Sequence, residues 1–563
     1  MTTTEQAVRP APAPSAPSAR IGAREVATVF AAGVVLALLA TWPLALHLGT
    51  RVPHDPGDPL LQAWQVAWDG HAALHQPLHF FQANSFWPLK NSLAFSDALI
   101  GYTPAGLLGT GPTAALVRYD LLFLGALALA FAATYLLCRE LGAGRTAAAV
   151  GGLACAMAPW RLEQAGHLHV LSIGGIPLAL FLLLCGYRRG SRRLILAGWL
   201  AAAWQVSLGF TLGLQLLYLL AVIGAVVLVA WLRRGRPAPA PGVVLPTAAG
   251  AAGLLVVSWV LARPYLQVLN DHPEAHRTLA RVSHLSPPLR SLAAASSDNL
   301  IWGGATRSVR TGLPAQNEQL LFPGVAIVLV AAAGLGSRAY PVRARRWLAV
   351  GVVVSFVFAL GFSIAGEWSP YRLLWELAPG WRGIRTPGRV FTLTSLALAL
   401  LAAAGAQRLL GRAGGGWRGW IVAVVLMSAV AVEGLGPIPT AAAPVAPPVV
   451  AAGRAPLLEL PSDAHHDTTY EYWSTRGFPA LVNGFSGFLP RQLLTLRLAV
   501  YWFPDRGSVA LLRRMGVRGV VVHHEFARPD RWRHAATASL RGLGLTRRRI
   551  GEGLLFRLPA PPG

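Results

Sequence analysis

Charged residues are scarce in this chain of 563 residues: they make up 13% of it, about half the share of roughly 25% that soluble domains carry. With 54% hydrophobic residues, this composition argues against a large soluble enzyme and rules out a disordered chain. Lys90 is the single lysine, so the net charge of +25 is carried by arginine. Only three cysteines occur, all inside apolar runs, which excludes a disulfide framework or a Cys-x-x-Cys zinc site.

Hydrophobic residues are gathered into runs, and crossing a bilayer takes about 20 such residues. The first run is too long for the apolar part of a cleavable signal peptide and is predicted to be an uncleaved span. A further stretch, 98–113, is interrupted by glycine and proline and is not counted. We therefore predict an all-α polytopic membrane protein with about eleven transmembrane helices, in the runs 26–48, 119–138, 146–160, 167–186, 194–210, 211–232, 243–262, 320–336, 347–365, 390–408 and 419–436.

Arginine is distributed unevenly between the loops. If the N-terminus is cytoplasmic and 98–113 does not cross, the cytoplasmic segments carry nineteen of the 49 basic residues and only three acidic ones. Clusters such as RARRW at 343–347 then lie on the cytoplasmic side, as the positive-inside rule requires. We predict a multi-pass protein of the cell membrane, with the N-terminus in the cytoplasm and the C-terminal part outside it.

Composition also divides the chain into domains. The stretches PLLELP (456–461) and VRGVVVHH (517–524) are typical of strands, and helical patterns lie between and after them. A small extracytoplasmic α/β domain is therefore predicted at the C-terminus. The predicted organisation is a disordered N-terminal tail at 1–22, a transmembrane domain at 23–436 with long outer loops at 49–118 and 263–319, a Pro/Ala linker at 437–450 and the α/β domain at 451–563.

The first outer loop holds a candidate catalytic residue, Asp58. The run from Pro59 to Leu74 has apolar residues at helical spacing and is predicted to be an amphipathic helix at the level of the lipid headgroups. Asp58 stands at the start of this helix. It is suited to cap the helix and to favour its dipole, and it is equally suited to act as a base at the membrane surface.

In architecture the chain resembles the GT-C class of membrane glycosyltransferases, in an uncharacterised bacterial branch. The resemblance covers most of the chain and rests on the order of its parts: one span, then a long outer loop with an early aspartate and amphipathic helices, then many spans. The resembling segments are HDPGDPLLQAWQVAWDGHAALH (54–75), APWRLEQAGHLHVLS (158–172), EQLLFPG (318–324), RTPGRV (385–390) and LVNGFSGFLP (481–490).

The resemblance implies a catalytic acidic residue in the first outer loop, as base or as the group that orients the acceptor. By position Asp58 matches best and Asp55 next, although the adjacent acidic pair of several GT-C families is replaced here by Asp-Pro-Gly-Asp. The implied activity is glycosyl transfer, of a hexose or a pentose, from a polyprenyl-phosphate donor to an acceptor outside the cytoplasm.

Transfer from a lipid phosphate also needs positive groups for the leaving phosphate. Two segments that contain arginine offer such groups. One lies on the turn between the third and fourth spans and the other just before the tenth span, and each arginine also has a plain interpretation as a snorkelling or headgroup-binding side chain. The candidate substrate-binding residues are Arg161, Gln164, His167, Arg385, Arg389 and, from the first outer loop, Asp97.

Two other functions stay open from the sequence. The feature that would distinguish a lipid or solute transporter or flippase is ionisable residues deep in the spans; these spans are almost free of them, which argues against proton coupling but not against passive flipping. A non-catalytic envelope assembly protein that presents the C-terminal domain is the other alternative. The expected partners are a lipid-linked sugar donor, membrane lipids and an acceptor glycan, lipid or protein; no nucleic acid, metal or other cofactor is predicted.

Overall fold

A computed structural model describes residues 21–235 and 242–559. The predicted disordered tail at 1–22 therefore lies almost wholly outside the described residues. Each of the eleven predicted runs contains a helix, which supports the all-α assignment. These helices are α1 (Ala23–Ala40), α3 (Gly111–Leu141), α4 (Arg145–Ala156), α5 (Gly175–Arg189), α6 (Arg192–Ser207), α7 (Phe210–Arg233), α8 (Val244–Asp271), α9 (Val325–Gly334), α10 (Val342–Ala359), α11 (Phe391–Ala413) and α12 (Trp417–Glu433), with α2 (Asp58–His75) in the first outer loop.

Not all of these helices have the length and composition of a span. Within the described residues, six stretches qualify: Ala23–Ala40, Gly111–Leu141, Leu168–Arg189, Phe210–Arg233, Val244–Asp271 and Pro387–Ala413. The other predicted spans are shorter, or in α10 carry the arginines of RARRW near the start. The protein is a multi-pass membrane protein, and the figure of eleven crossings stays a prediction. The stretch 98–113 forms only the short helices Ile100–Tyr102 and Thr103–Gly106, which cannot cross a bilayer.

Small residues let the central helices touch through their backbones. A side chain at Gly405 of α11 would collide with the carbonyl of Val330 in α9, and one at Gly334 of α9 would collide with the carbonyl of Leu401. Lipid supplies little hydrophobic drive between helices, so this close approach gains van der Waals contact instead. The helix α11 is thereby held at the centre, with most of its residues from Phe391 to Ala406 buried.

The C-terminal part forms a mixed sheet. Strands β3 (Leu457–Leu460) and β4 (Gly519–His523) are parallel, and the order across the sheet is β3-β4-β6-β5. The predicted strands at 456–461 and 517–524 contain β3 and β4. The other elements are β5 (Thr546–Ile550), β6 (Gly553–Arg557), α13 (Asp467–Ser474), α14 (Arg491–Ala499), α15 (Arg506–Arg514) and α16 (Pro529–Thr537).

The segment 437–450, predicted as a linker, pairs with another part of the chain. Strand β1 (Arg51–Pro53) of the first outer loop pairs antiparallel with β2 (Thr440–Ala442) of this segment. In addition, Arg51 donates through Nε to the hydroxyl of Thr440 at 2.8 Å. The C-terminal sheet is therefore tied to the first outer loop. Where the domain boundaries lie remains a prediction.

Helix α2 is also more buried than its apolar pattern predicts. The sequence predicts a helix with one face at the lipid headgroups, but residues 59–70 are all buried. Helix α13 packs against one side of α2, and the backbones of Gly70 and Gly106 meet on another. The start of α2 is thereby fixed against its neighbours, and Asp58 lies at that start.

Candidate active site

Asp58 is the first residue of α2, but its side chain does not cap the helix. Gly57 occupies the cap position, and no side chain accepts a hydrogen bond there. The carboxylate instead lies 3.2 Å from Nε2 of His167, with 31% of the Asp58 side chain exposed. Burial alone would raise the pKa of Asp58, but the hydrogen bond with His167 and the charge of Arg389 together lower it to about 2. Asp58 is therefore ionised at physiological pH.

Asp55, the second candidate base, belongs to the turn before α2. One of its oxygens accepts the N–H of Gly57 at 2.7 Å, and the other lies 2.6 Å from Nδ1 of His54. The hydrogen bond with His54 lowers the pKa of Asp55 and raises that of His54. The carboxylate of Asp55 is thus used to shape the loop that leads to Asp58.

Polar side chains on one face of α2 continue the site inward. Asp58, Gln62, Gln65 and Asp69 recur at the helical spacing of four, three and four residues. Gln62 accepts the backbone N–H of Leu168 at 2.7 Å, and its amide nitrogen lies 3.3 Å from Nδ1 of His169. The hydrogen bond from the N–H of Leu168 to Gln62 positions the segment that contains His167 and His169. Sequence reasoning missed Gln62, although its spacing from Asp58 was a readable signal.

Arg389 lies at the centre of the buried charges. Its guanidinium binds both oxygens of Glu318, at 2.6 and 3.1 Å, and donates to Nε2 of His169 at 3.0 Å. Since arginine can only donate, the bonded nitrogen of His169 must be the unprotonated one. Burial would raise the pKa of Glu318, but the charge of Arg389 lowers it. Glu318 was missed as a functional residue because its partner is 71 positions away.

Arg385 is the predicted phosphate ligand whose side chain stays available. It is half-buried, and within the described residues no hydrogen bond or ion pair engages its guanidinium. Burial and the charge of Arg389 lower its pKa, whereas Glu318 and Asp58 act in the opposite direction. Burial, together with the charges of Arg385 and Arg281, lowers the pKa of Arg277 to about 10. The sequence did not predict Arg277 or Arg281 as part of the site.

Arg161, predicted as a phosphate ligand, points into the protein interior. Its side chain is completely buried, and it donates to the carbonyls of Cys155 at 3.0 Å and Val170 at 3.4 Å. Both the phosphate ligand and the snorkelling side chain predicted from the sequence require an accessible guanidinium. Arg161 holds the turn together from inside, because buried carbonyls need donors.

Gln164 and Asp97 also have internal roles. The amide of Gln164 donates to the carbonyl of Asn317 at 3.3 Å, next to Glu318. Asp97 accepts the N–H of Phe210 at 2.7 Å and the hydroxyl of Thr211 at 2.8 Å, which caps the start of α7. One oxygen of Asp97 is 3.8 Å from His169. These two side chains are engaged in internal hydrogen bonds, and Asp58, His167 and Arg385 are each partly exposed.

Comparison with known proteins places this geometry in a fold class. No family model and no curated protein matches the sequence. Among solved structures, the arabinofuranosyltransferase AftD from Mycobacteria is similar with a TM-score of 0.61 and 17% identity, over 97% of this chain and 40% of that one. This chain therefore spans about two fifths of the AftD chain.

Two further solved structures are similar at lower scores. The Archaeoglobus fulgidus oligosaccharyltransferase has a TM-score of 0.45 and 13% identity, over 90% of this chain and 70% of that one. ArnT from Cupriavidus metallidurans has a TM-score of 0.39 and 16% identity, over 94% of this chain and 97% of that one. The likeness to AftD carries the assignment of the fold. The chain has the fold of the GT-C membrane glycosyltransferases, which confirms the resemblance found in its sequence.

Proposed function

We propose that the protein is an integral-membrane glycosyltransferase that moves a pentose or hexose from a polyprenyl-phosphate donor to an acceptor glycan, lipid or protein outside the cytoplasm. One observation carries the proposal. A partly exposed carboxylate, Asp58, lies in the field of a guanidinium, Arg385, that has no bonded partner among the described residues. An inverting transfer needs these two groups, one for the acceptor hydroxyl and one for the leaving phosphate.

The chemistry follows from the charges of the two groups. The acceptor hydroxyl donates a hydrogen bond to Asp58, and its oxygen attacks the anomeric carbon of the donor sugar. As the new C–O bond forms, the hydroxyl becomes acidic and its proton passes to the carboxylate. The bond between the anomeric carbon and the phosphate oxygen breaks, and the electron pair leaves with the polyprenyl phosphate. The lowered pKa of Asp58 keeps this carboxylate ionised at physiological pH, so that it is able to accept the proton.

The leaving phosphate gains negative charge in this step, and cations close to it lower the barrier. Arg385 supplies one such cation, and the charges of Arg277 and Arg281 act on the same region. Arg389 is bonded to Glu318 and His169, so it adds positive charge near Arg385 without binding the phosphate itself. A polyprenyl tail keeps the donor at the membrane, and the apolar helices of the protein are embedded in the same lipid.

A matched pair of arginine variants tests donor binding. We expect Arg385→Gln to lower kcat/KM for a synthetic polyprenyl-phosphate-linked pentose or hexose about 10- to 100-fold, since a hydrogen bond to a charged group contributes about 1.5–3 kcal/mol. Released polyprenyl phosphate, normalised to folded protein in membranes, is the measurement. Arg382→Gln is the control, because Arg382 is exposed and donates to the carbonyl of Trp375. Equal kcat/KM values for the two variants would contradict the role of Arg385.

The site must face the exterior for this donor and acceptor to meet. We propose that the N-terminus is cytoplasmic and that the C-terminal domain at 451–563 lies outside, where it helps to bind the acceptor or to close the site. A reporter fused after residue 340 or 415 is expected to read as cytoplasmic, and one after 300 or 450 as exterior. An inverted result at 340 would contradict the orientation and remove the site from the outer face.

A further inference from the structure

The loop that carries Asp58 has few backbone N–H donors of its own. Between residues 53 and 59 three positions are proline, which removes three backbone N–H groups. On one side the loop is held by β1 and β2, and the N–H of His54 donates to the carbonyl of Pro439 at 2.6 Å. On the other side the hydroxyl of Thr468, from α13, lies 3.1 Å from the carbonyl of Pro56. Pro56 is two residues before Asp58.

Thr468 is placed for this contact by the C-terminal sheet. The side chain of Thr468 is fully buried, and its hydroxyl shares its proton between Pro56 and the carbonyl of His465, each at 3.1 Å. The neighbouring Asp467 is also fully buried and accepts from Asn483 at 2.8 Å and Arg497 at 2.9 Å. The start of α13 therefore cannot shift without breaking these bonds.

Asn483 connects this point to the sheet itself. Its side-chain oxygen accepts the N–H of Glu459 in β3 at 2.7 Å, and its nitrogen donates to the carbonyl of Glu459 at 2.8 Å. At the far end of α13, Ser474 accepts from Asn84, which in turn accepts from Trp64 of α2 at 3.0 Å. A continuous series of short contacts thus leads from β3 to the loop before Asp58, and a second one leads from α13 to α2.

We propose that Thr468 is a positioning residue for glycosyl transfer: through the carbonyl of Pro56 it holds the loop that carries Asp58, so that the C-terminal sheet sets the position of this carboxylate. The inference rests on the proposed role of Asp58. It gives the C-terminal part of the chain a function inside the site, beyond binding an acceptor. It also accounts for a buried threonine that faces an acceptor on a separate segment of the chain.

The test uses the full-length protein in membranes and compares two buried threonines of one helix region. Thr468→Val removes the hydroxyl that reaches Pro56, whereas Thr475→Val removes a hydroxyl that bonds only to the carbonyl of Tyr472 at 2.7 Å. Asp58 is modified with a water-soluble carbodiimide and glycinamide, and its extent of modification is read by peptide mass spectrometry. Asp530 serves as internal reference because it is half exposed on α16.

We expect Thr468→Val to change the rate of Asp58 modification about fivefold, the factor that one lost hydrogen bond typically carries. Polyprenyl phosphate release is expected to fall about 10- to 100-fold, since small displacements of a reacting group are costly. Thr468→Ser keeps the hydroxyl and is expected to restore both values, and Thr475→Val is expected to leave both unchanged. If the valine variant does not accumulate, Thr468→Cys, which keeps the volume and donates weakly, takes its place.

The outcomes separate this inference from the proposed function. Unchanged modification of Asp58 in the Thr468→Val protein would overturn the positioning role, whatever the activity. Changed modification with undiminished transfer would uphold the contact with the loop but overturn the positioning role in transfer, whereas the role of Asp58 as base depends on the outcome for Asp58→Asn. Equal effects of Thr468→Val and Thr475→Val would show a general loss of packing around α13 and would also overturn the positioning role.

Discussion

Replacing Asp58 with asparagine is expected to reduce transfer by about 10²–10⁴-fold while the protein accumulates normally, because the amide cannot accept the acceptor's proton and a general base typically contributes that factor. Asparagine keeps the size of the side chain. Stability is expected to fall only modestly: no cap hydrogen bond is lost, because the Asp58 side chain makes none, but the contact between the carboxylate and His167 is weakened. The measurement is polyprenyl phosphate released from a polyprenyl-phosphate-linked pentose or hexose, normalised to folded protein.

Asp69→Asn is the matched control on the same face of α2. Both carboxyl oxygens of Asp69 are buried without a hydrogen-bond partner among the described residues, and burial raises the pKa of Asp69 well above its ordinary value. The neutral amide therefore resembles the protonated acid that it replaces, and near-normal transfer is expected. Normal turnover by Asp58→Asn would remove this residue from the mechanism and direct attention to Asp55 and Asp97. Tolerance at all three positions would favour the transporter.

The second large effect concerns the buried ion pair. We expect Arg389→Met to lower the free energy of unfolding by about 3–5 kcal/mol, because it leaves the charge of Glu318 buried without its partner. The side chains of Arg389 and Glu318 are only 7% and 12% exposed. The apparent midpoint of thermal unfolding in detergent reports the loss. A wild-type midpoint for Arg389→Met would show that the pair does not hold the site together.

The double variant Arg389→Met/Glu318→Gln separates stability from catalysis. Removing both charges of a buried pair is often neutral, so most of the lost stability is expected to return. Transfer is expected to stay low, since the positive charge of Arg389 near the leaving phosphate is still missing. Recovery of both properties would mean that Arg389 acts only as a structural partner of Glu318.

Much of the fold is readable from the sequence because apolar runs of sufficient length form helices in any such protein. The helix predicted from Pro59 to Leu74 is present as Asp58–His75, since proline at the start and apolar spacing are local signals. Its full burial was not predictable, because the helix that covers it, α13, lies about four hundred residues further on. Burial of both faces depends on a partner that a local pattern does not contain.

Two elements of the C-terminal part were not predicted for a related reason. The segment DTTYEYWS of α13 is rich in threonine and aromatic residues, which favour strands, and contacts with α2 override that preference. Strand β5 has the sequence TRRRI, and three consecutive arginines are more typical of a loop than of a strand. It forms at the edge of the sheet, where arginine side chains reach solvent and discourage further pairing.

The structure brings some of the predicted site residues together and not others, and the difference depends on where each side chain points. Asp58 and His167 belong to polar segments near the ends of helices, and the structure brings them within 3.2 Å. Arg161 occurs in an equally polar segment, but its side chain points inward and donates to a backbone carbonyl. Sequence alone does not distinguish an arginine that serves a substrate from one that serves the backbone, because both need the same residue near the same helix end.

The pairing of β1 with β2 has a consequence for how the protein is made. Arg51 and Thr440 are 389 positions apart, so the loop before Asp58 leaves the ribosome long before the strand that completes it. At about 5–20 residues per second, roughly 20–80 s of synthesis separates the two strands. During that interval the edge of β1 is unpaired, and the loop before Asp58 lacks its contacts with β2 and Thr468. We therefore expect a nascent chain to gain transfer activity only after these later segments have been synthesised.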